Sequence, residues 1–156
     1  MNIRWLMVLG ICLLGISVLG LPLAVGDAVP PVSATDQRGV DFVFTNGTRF
    51  LLVATEMASA KSANHKLTEK GAGFLEKYQA AYLMDIHTMP SIARMFALPK
   101  LRKYPHRIVL VDSAVTLTNF PSLPGRVTVL TLTSTGHIRK IGYWNPDNEP
   151  VADYLE

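Results

Sequence analysis

Two short runs of apolar residues, each bounded by polar positions, form the clearest pattern in the chain. Phe50 to Ala54 is apolar at every position, and Ala80 to Ile86 is apolar except for Asp85 near its end. Unbroken apolarity over this length predicts strands that are covered on both faces, as parallel strands are. Arg107 to Val111 predicts a third strand, which Asp112 closes.

Between these strands the apolar spacing changes to that of a helix. Residues 58–78 place apolar side chains near one face of a helix, namely Leu67, Phe74, Leu75 and Tyr78. Gly71 and Gly73 each weaken this helix by about 1 kcal/mol. A second helix begins near Pro90, and Pro99 is expected to end or kink it. Its predicted apolar face consists of Ile92, Met95, Phe96 and Leu98.

Two hairpins flank this alternating region. Residues 40–44 alternate as a half-buried strand, and Asn46-Gly47 predicts a two-residue turn into the first buried strand, because both positions accept positive φ. The segments 127–133 and 137–144 form a second predicted hairpin, followed by a short final helix that carries Val151, Tyr154 and Leu155.

The order of elements is therefore a hairpin, β, α, β, α, β, a second hairpin and a helix. Alternation of this kind predicts an α/β domain in which helices flank a central mixed sheet, giving three layers. We place a single domain at 36–156, preceded by a Pro- and Ala-rich flexible lead-in at 27–35.

The N-terminus has the composition of a secretory signal peptide. Arg4 precedes an almost wholly apolar run at 5–25, and Ala24-Val25-Gly26 supplies the small residues of a cleavage site. Val32-Ser33-Ala34 is a second candidate cleavage site. The run is also long enough to remain as an uncleaved anchor. We therefore predict a periplasmic or secreted protein with a signal peptide at 1–26, or one anchored in the inner membrane by 5–25.

Cysteine content and charge exclude several functions. Cys12 is the only cysteine, and it lies inside the apolar run. Cleavage would leave a mature protein without disulfides and without a thiol nucleophile. The formal net charge of +3 is too small to predict nucleic-acid binding.

Four segments, taken in order, resemble the thioredoxin-like superfamily, and in particular its exported thiol–disulfide and peroxiredoxin-type branch. "SATDQRGVDFVF" resembles the opening hairpin of that branch, and "RFLLVATE" resembles its first core strand. "AAYLMDIHTMPSIARMFAL" resembles the second core strand and the helix after it, and "PGRVTVLTLTSTGHIRKIGYW" resembles a proline and the closing hairpin. The resemblance implies a thioredoxin-like three-layer sandwich.

The chain departs from that family where the family does its chemistry. The resemblance places redox cysteines just after Thr55, but this chain has none there. It also implies a cis-proline opposite that site, for which Pro124 is favoured over Pro105. We define the former active-site face as Met57, Ala58, Ser59, Ala60, Lys61 and Pro124.

The chain is also similar to small exported bacterial proteins that are often labelled flavin-containing dehydrogenases. A flavin or nucleotide site would need a glycine loop at a strand-to-helix turn, whereas Gly71-Ala72-Gly73 is expected in mid-helix. No two histidines have the spacing of helix-borne metal ligands. We therefore predict neither a cofactor nor a metal.

Three residues are candidates for chemistry that does not use a thiol. Asp85 and His87 follow the second buried strand, and at the carboxyl end of such a strand His87 could act as a base that Asp85 orients. Ser62 lies one turn into the first helix. The structural alternatives are that Asp85 caps the next helix and that the serines cap the first one.

The run "KLRKYPHR" at 100–107 is basic and could meet anionic lipid or an acidic partner, or simply be a solvated helix end. Our main hypothesis is an exported, redox-inactive binding or accessory module that holds a protein or peptide partner. The alternative is a non-thiol enzyme that uses Asp85, His87 and Ser62. We expect no nucleic-acid partner, and contact with a membrane only if the signal stays uncleaved.

Overall fold

A computed structural model of the chain describes residues 20–44 and 47–156. Cys12 and most of the predicted signal peptide lie outside these residues. The strands are β1 (Ala34–Asp36), β2 (Asp41–Phe42), β3 (Phe50–Ala54), β4 (Ala80–Asp85), β5 (Val109–Val111), β6 (Val127–Leu132) and β7 (Ile138–Trp144). The helices are α1 (Met57–Lys70), α2 (Phe74–Lys77), α3 (Ser91–Leu101) and a closing 3-10 helix (Val151–Tyr154).

All the strands form one mixed sheet, in the order β2-β1-β5-β4-β3-β6-β7. The centre is parallel, because β3 pairs with β4, and β4 pairs with β5, in parallel register. The remaining pairs are antiparallel. The predicted α/β class with a central mixed sheet is confirmed, and the three strands predicted at its centre lie side by side.

The connectivity places α1 and α3 on the same face of the sheet. The crossovers β3-α1-β4 and β4-α3-β5 both step in the same direction across the sheet, and crossovers of this kind are right-handed. The core beneath the helices includes Leu67 of α1, Leu101 of α3 and Tyr82 of β4. We call this side the helical face.

The opposite face of the sheet is covered by irregular segments. Val29, Val32, Leu117 and Phe120 pack there against buried strand residues. The Val29 N–H donates to the Gly136 carbonyl at 3.0 Å. Residues 27–35, for which we predicted a flexible lead-in, thus contribute Val29 and Val32 to the core of this face.

The N-terminal hairpin joins β1 to β2, and not β2 to β3 as the Asn46-Gly47 pattern predicted; Asn46 itself lies outside the described residues. β2 pairs with β1, as the resemblance implied, while β3 lies between β4 and β6. The Asp36 carboxylate accepts the N–H groups of Arg38 and Val40 at 2.8 and 3.0 Å, and Gly39 adopts φ +84°. This Asx turn closes the hairpin locally.

The first predicted helix is divided in two. α1 ends at Lys70 because Gly71 takes φ +91°, a conformation that stops a helix and that L side chains rarely adopt. The N–H of Gly71 donates to the Thr68 carbonyl, and α2 begins three residues later at Phe74. The glycines that only weakened the predicted helix thus mark its boundary.

The second predicted helix is longer than expected and is rotated. α3 continues through Pro99 to Leu101, and the proline removes only the hydrogen bond to the carbonyl of exposed Met95. Leu98 packs against the core as predicted, but Ile92, Met95 and Phe96 are exposed. Among the helices described, none has the length and apolar character needed to cross a membrane.

Candidate functional site

The start of α1 lies at the carboxyl end of the central strand β3. Glu56 has extended backbone angles (φ −120°, ψ 140°) and precedes the first turn of the helix. Met57 is 46% exposed, while Ser59 is 3% and Ala60 1% exposed. The Ser59 hydroxyl donates to the Glu56 carbonyl at 3.1 Å, so Ser59 does not cap α1, whose N-cap Glu56 makes no side-chain cap hydrogen bond. Ser59 and Ala60 of the predicted face are therefore inside the protein.

A loop from the other side of the chain meets α1 at this point. The N–H of Gly125 donates to the Glu56 carboxylate at 2.9 Å. Pro124 is exposed beside this contact, and Leu123 is 47% exposed. Pro105 instead lies beyond the end of α3. Every peptide bond in the described segments is trans, including those before these two prolines.

A groove of about 470 Å³ runs from this face into the space between α1 and α3. Its lining from α1 repeats at helical spacing, so that one side of the helix forms a wall. The floor and far wall come from β4, α3 and the segment after α3. The lining residues are Met57, Ala58, Lys61, Asn64, Met84, Ala97, Lys100, Leu101 and Tyr104.

The groove is apolar inside and basic at its edge. Met57 and Met84 supply flexible, unbranched side chains, and Leu101 adds further apolar surface. Flexible methionine side chains suit apolar partners of variable shape. Lys61 and Lys100 are exposed, and the lining contains no carboxylate. The arrangement matches what small pockets commonly present, a mostly apolar surface with a few charges that fix orientation.

A buried polar pair adjoins the groove. The Nε2 of His106, which is fully buried, is 3.0 Å from the Asn64 side-chain oxygen, and Asn64 lines the groove. The ring of His106 packs near those of Tyr104 and Tyr82, at centroid distances of 5.5 and 6.1 Å. Its Nδ1 is buried without a hydrogen-bond partner.

The surroundings of His106 favour the neutral form of its imidazole ring. Burial lowers the pKa of His106 to about 4, with a smaller contribution from the positive charge of Arg38. In the sequence His106 is part of the basic run at 100–107 and directly precedes the third predicted strand. The pairing with Asn64 joins residues 42 positions apart, so no local pattern could have revealed it.

The three candidates for non-thiol catalysis are placed as follows. Met84 and Ile86 belong to the core of the helical face and Leu83 to that of the opposite face. Strand alternation therefore directs Asp85 away from the face that carries α1 and Ser62.

The Asp85 carboxylate is used locally. It accepts the His87 N–H at 2.9 Å, while the His87 Nδ1 is 3.6 Å from the same oxygen. This is an Asx turn inside the loop. The alternative that Asp85 caps the next helix is wrong, because α3 has Pro90 as its N-cap and no side-chain cap hydrogen bond. Arg94 fixes the loop further, because it donates to the carbonyls of His87 and Met89 and pairs with Asp112.

No convergent set of metal ligands was found among the described residues: they contain no group of three His, Cys, Asp or Glu side chains able to hold an ion. Gly71 and Gly73 lie between α1 and α2 and not at a strand-to-helix turn. The geometry around α1 therefore consists of an exposed helix start, a groove and a buried Asn–His pair.

No model of a protein family matches the chain, and no curated protein matches it in sequence. Comparison with solved structures identifies the fold. A peroxiredoxin-like protein from Aquifex aeolicus superposes with a TM-score of 0.58 at 13% identity, over 86% of this chain and 84% of that one. The chain has the thioredoxin-like fold.

Two further solved structures share this thioredoxin-like fold. Peroxidoxin BcpB from Mycobacterium tuberculosis gives a TM-score of 0.57 at 11% identity, over 85% of this chain and 94% of that one. The thioredoxin domain of a thiol-disulfide oxidoreductase from Bacteroides vulgatus gives 0.54 at 14% identity, over 86% and 99%. Identities this low establish the fold alone.

The thioredoxin-like fold here carries no cysteine at the start of α1. Positions 56–62 read Glu-Met-Ala-Ser-Ala-Lys-Ser, and Cys12 is the only cysteine of the chain. This position is surrounded by the end of β3, the first turn of α1 and the loop at Pro124.

Proposed function

We propose that this protein is a redox-inactive, thioredoxin-like binding module that holds a segment of a protein or peptide partner. Binding takes place at the exposed part of the former active-site face, Met57, Ala58 and Lys61, and in the groove that continues from it. The observation that carries the proposal is this groove, which opens at a helix start that has no cysteine. The apolar run at 5–25 further supports a position in the cell envelope.

Exposure of Met57 supports the proposal. A methionine that is 46% exposed beside a groove offers apolar surface to a partner. Leu123 and Pro124, on the loop that Glu56 holds, extend the apolar surface past the start of α1. Partners that bury apolar side chains in a groove of this kind gain most of their affinity from a few anchor residues.

The charge of the groove favours an acidic peptide as the partner. Lys61 and Lys100 stand on opposite walls of the groove, which carries no acidic side chain. A peptide with an apolar anchor and flanking carboxylates would satisfy both lysines, and its association would weaken with salt.

The enzymatic alternative has less support. Ser62 has no hydrogen-bonded base among the residues that the structure describes, and Asp85 points to the other face of the sheet. A nucleophilic hydroxyl needs an adjacent base within about 3.2 Å.

Peptide display on the full-length protein tests the proposal. We expect selected peptides to combine an apolar residue with Asp or Glu, and Ala97→Trp, which fills the groove, to weaken their binding at least about tenfold, since it displaces an anchor worth over 1 kcal/mol. Ala93→Trp is the matched control, because Ala93 is exposed on the same helix and does not line the groove. Equal binding by the two variants would refute the proposal.

A redox assay tests the second part of the proposal, that the module is redox-inactive. The full-length protein, with and without Cys12→Ser, should fail to reduce insulin disulfides under conditions in which a cysteine-containing thioredoxin does so. Reduction by the Cys12→Ser variant would contradict a redox-inactive module, because that variant has no thiol.

A further inference from the structure

Helix α3 exposes a stripe of large apolar side chains. Ile92 is 72% exposed, and Met95 and Phe96 are each 64% exposed. Their spacing at i, i+3 and i+4, with exposed Pro99 at i+7, places them on one side of the helix. Single exposed apolar residues are ordinary, but a contiguous group on one helix side marks an interaction surface.

The surroundings of this apolar stripe are strongly basic. The segment 86–111 contains Arg94, Lys100, Arg102, Lys103 and Arg107 and no Asp or Glu. Arg94 and Arg107 are paired with Asp112 and Asp36. Lys100 follows Phe96 by one helical turn, and Lys103 lies one turn beyond Pro99. The C-terminal end of the stripe therefore presents positive charge.

The shape of this surface separates it from the groove. The groove is lined by Ala97, Lys100 and Leu101 of α3, and the residues of the stripe take no part in it. The stripe is the convex outer side of the helix, which a flat surface can meet along its length. The stripe of a second copy would offer no carboxylate to pair with Lys100 and Lys103, whereas anionic headgroups do.

We propose that α3 docks on a membrane surface that contains anionic phospholipids. Ile92, Met95 and Phe96 enter the boundary between headgroups and acyl chains, and Lys100 and Lys103 pair with the phosphates. A short helix with Phe and Met on one side and cations beside them binds membranes in this way. The proposal does not rest on the function proposed for the groove, and it adds the apolar side of α3 to the contact with anionic lipid that the basic run at 100–107 suggested.

The test must separate α3 from the apolar N-terminal run, which inserts into lipid by itself. We would attach a fluorophore at Met95→Cys in a Cys12→Ser background and reconstitute the full chain into vesicles. Equal parts phosphatidylglycerol and phosphatidylcholine form the anionic vesicles, and phosphatidylcholine alone forms the neutral ones. Access of a water-soluble quencher to the label is measured in both.

We expect the label at position 95 to be shielded several-fold in anionic vesicles and to stay accessible in neutral ones. A label at Val115→Cys, which is 81% exposed outside α3, should stay accessible in both. Replacing Lys100 and Lys103 with Gln should weaken docking about fivefold per cation, since each contributes about 1 kcal/mol near an anionic surface.

Three results would overturn the proposal. The first is equal access to the label at position 95 in the two kinds of vesicle. The second is shielding that the lysine replacements leave unchanged. The third is shielding without vesicles that grows with protein concentration, since a second copy would then cover the stripe.

Discussion

The buried histidine His106 should make the stability of the protein fall as the medium becomes mildly acidic. In the folded protein burial lowers the pKa of His106 to about 4, whereas an unfolded chain has the ordinary value of about 6.5. Below about pH 6.5, His106 is therefore protonated in the unfolded state while it stays neutral in the folded state. Stability is lost over the window from about pH 6.5 down to about pH 4.

The size of the effect follows from the two pKa values. Between about pH 7.5 and about pH 5, one such group removes about 2 kcal/mol of unfolding free energy. The structural reason is that an imidazolium beside Tyr82 and Tyr104 would be fully buried with only Asn64 as a neutral partner. The charge of Arg38 adds to the penalty.

Urea unfolding at a series of pH values measures this effect. His106→Gln keeps a donor for the Asn64 oxygen but cannot take up a proton, so its stability should fall about 2 kcal/mol less than that of the wild type over the same range. Carboxylates whose pKa is lowered in the fold, such as Asp36, also lose stability in acid, but they contribute equally to both proteins.

His65→Gln serves as the matched control for this experiment. The side chain of His65 is 74% exposed on α1, so its replacement should leave the pH dependence as in the wild type. Equal acid loss in wild type and His106→Gln would refute the reasoning, as would an NMR titration of His106 near pH 6.5.

Four other substitutions, one of them a control, probe the elements around the site. Gly71→Ala should lower the unfolding free energy by about 1–3 kcal/mol, because Gly71 has φ +91°, whereas Gly73→Ala at ordinary φ should cost nothing measurable by urea unfolding. Gln37→Ala should cost about 2–4 kcal/mol, since it leaves the His106 carbonyl and the Ile108 N–H unpaired inside the protein; a loss below about 0.5 kcal/mol would contradict this. Glu56→Ala should speed hydrogen exchange of the Gly125 amide up to about tenfold, because its acceptor is removed, and an unchanged rate would show that the contact is not formed in solution.

The central sheet could be predicted because its signals are local and strong. β3 and β4 are short, apolar on both faces and bounded by polar residues, and that pattern fits few other structures. The resemblance to thioredoxin-like proteins supplied the correct opening hairpin, where the Asn46-Gly47 pattern alone pointed to the wrong strands.

The orientation of α3 could not be predicted from spacing. The helix carries apolar residues on two sides, with Ile92 and Phe96 on one and Leu98 and Leu101 on the other. Periodicity cannot decide which of two apolar sides faces the core. The packing of Leu98 and Leu101 against the sheet decides it, and this depends on the crossover to β5.

The polar contacts inside the protein were beyond local patterns as well. Gln37 donates to the His106 carbonyl across 69 positions of the chain, and His106 meets Asn64 across 42. Contacts between residues so far apart depend on the completed fold. The sequence alone therefore carries no signal for the pairing of Gln37, His106 and Asn64. The groove depends on the same long-range packing.

The proposed binding groove can be tested most directly through the methionine methyl groups. Met57 and Met84 line the groove, whereas Met89 is buried outside its lining. On adding a display-selected acidic peptide to protein labelled at the methionine methyls, we predict NMR shifts at Met57 and Met84 that exceed the shift at Met89. A bound peptide that leaves Met57 and Met84 unshifted would contradict the account, because binding would then occur elsewhere on the thioredoxin-like fold.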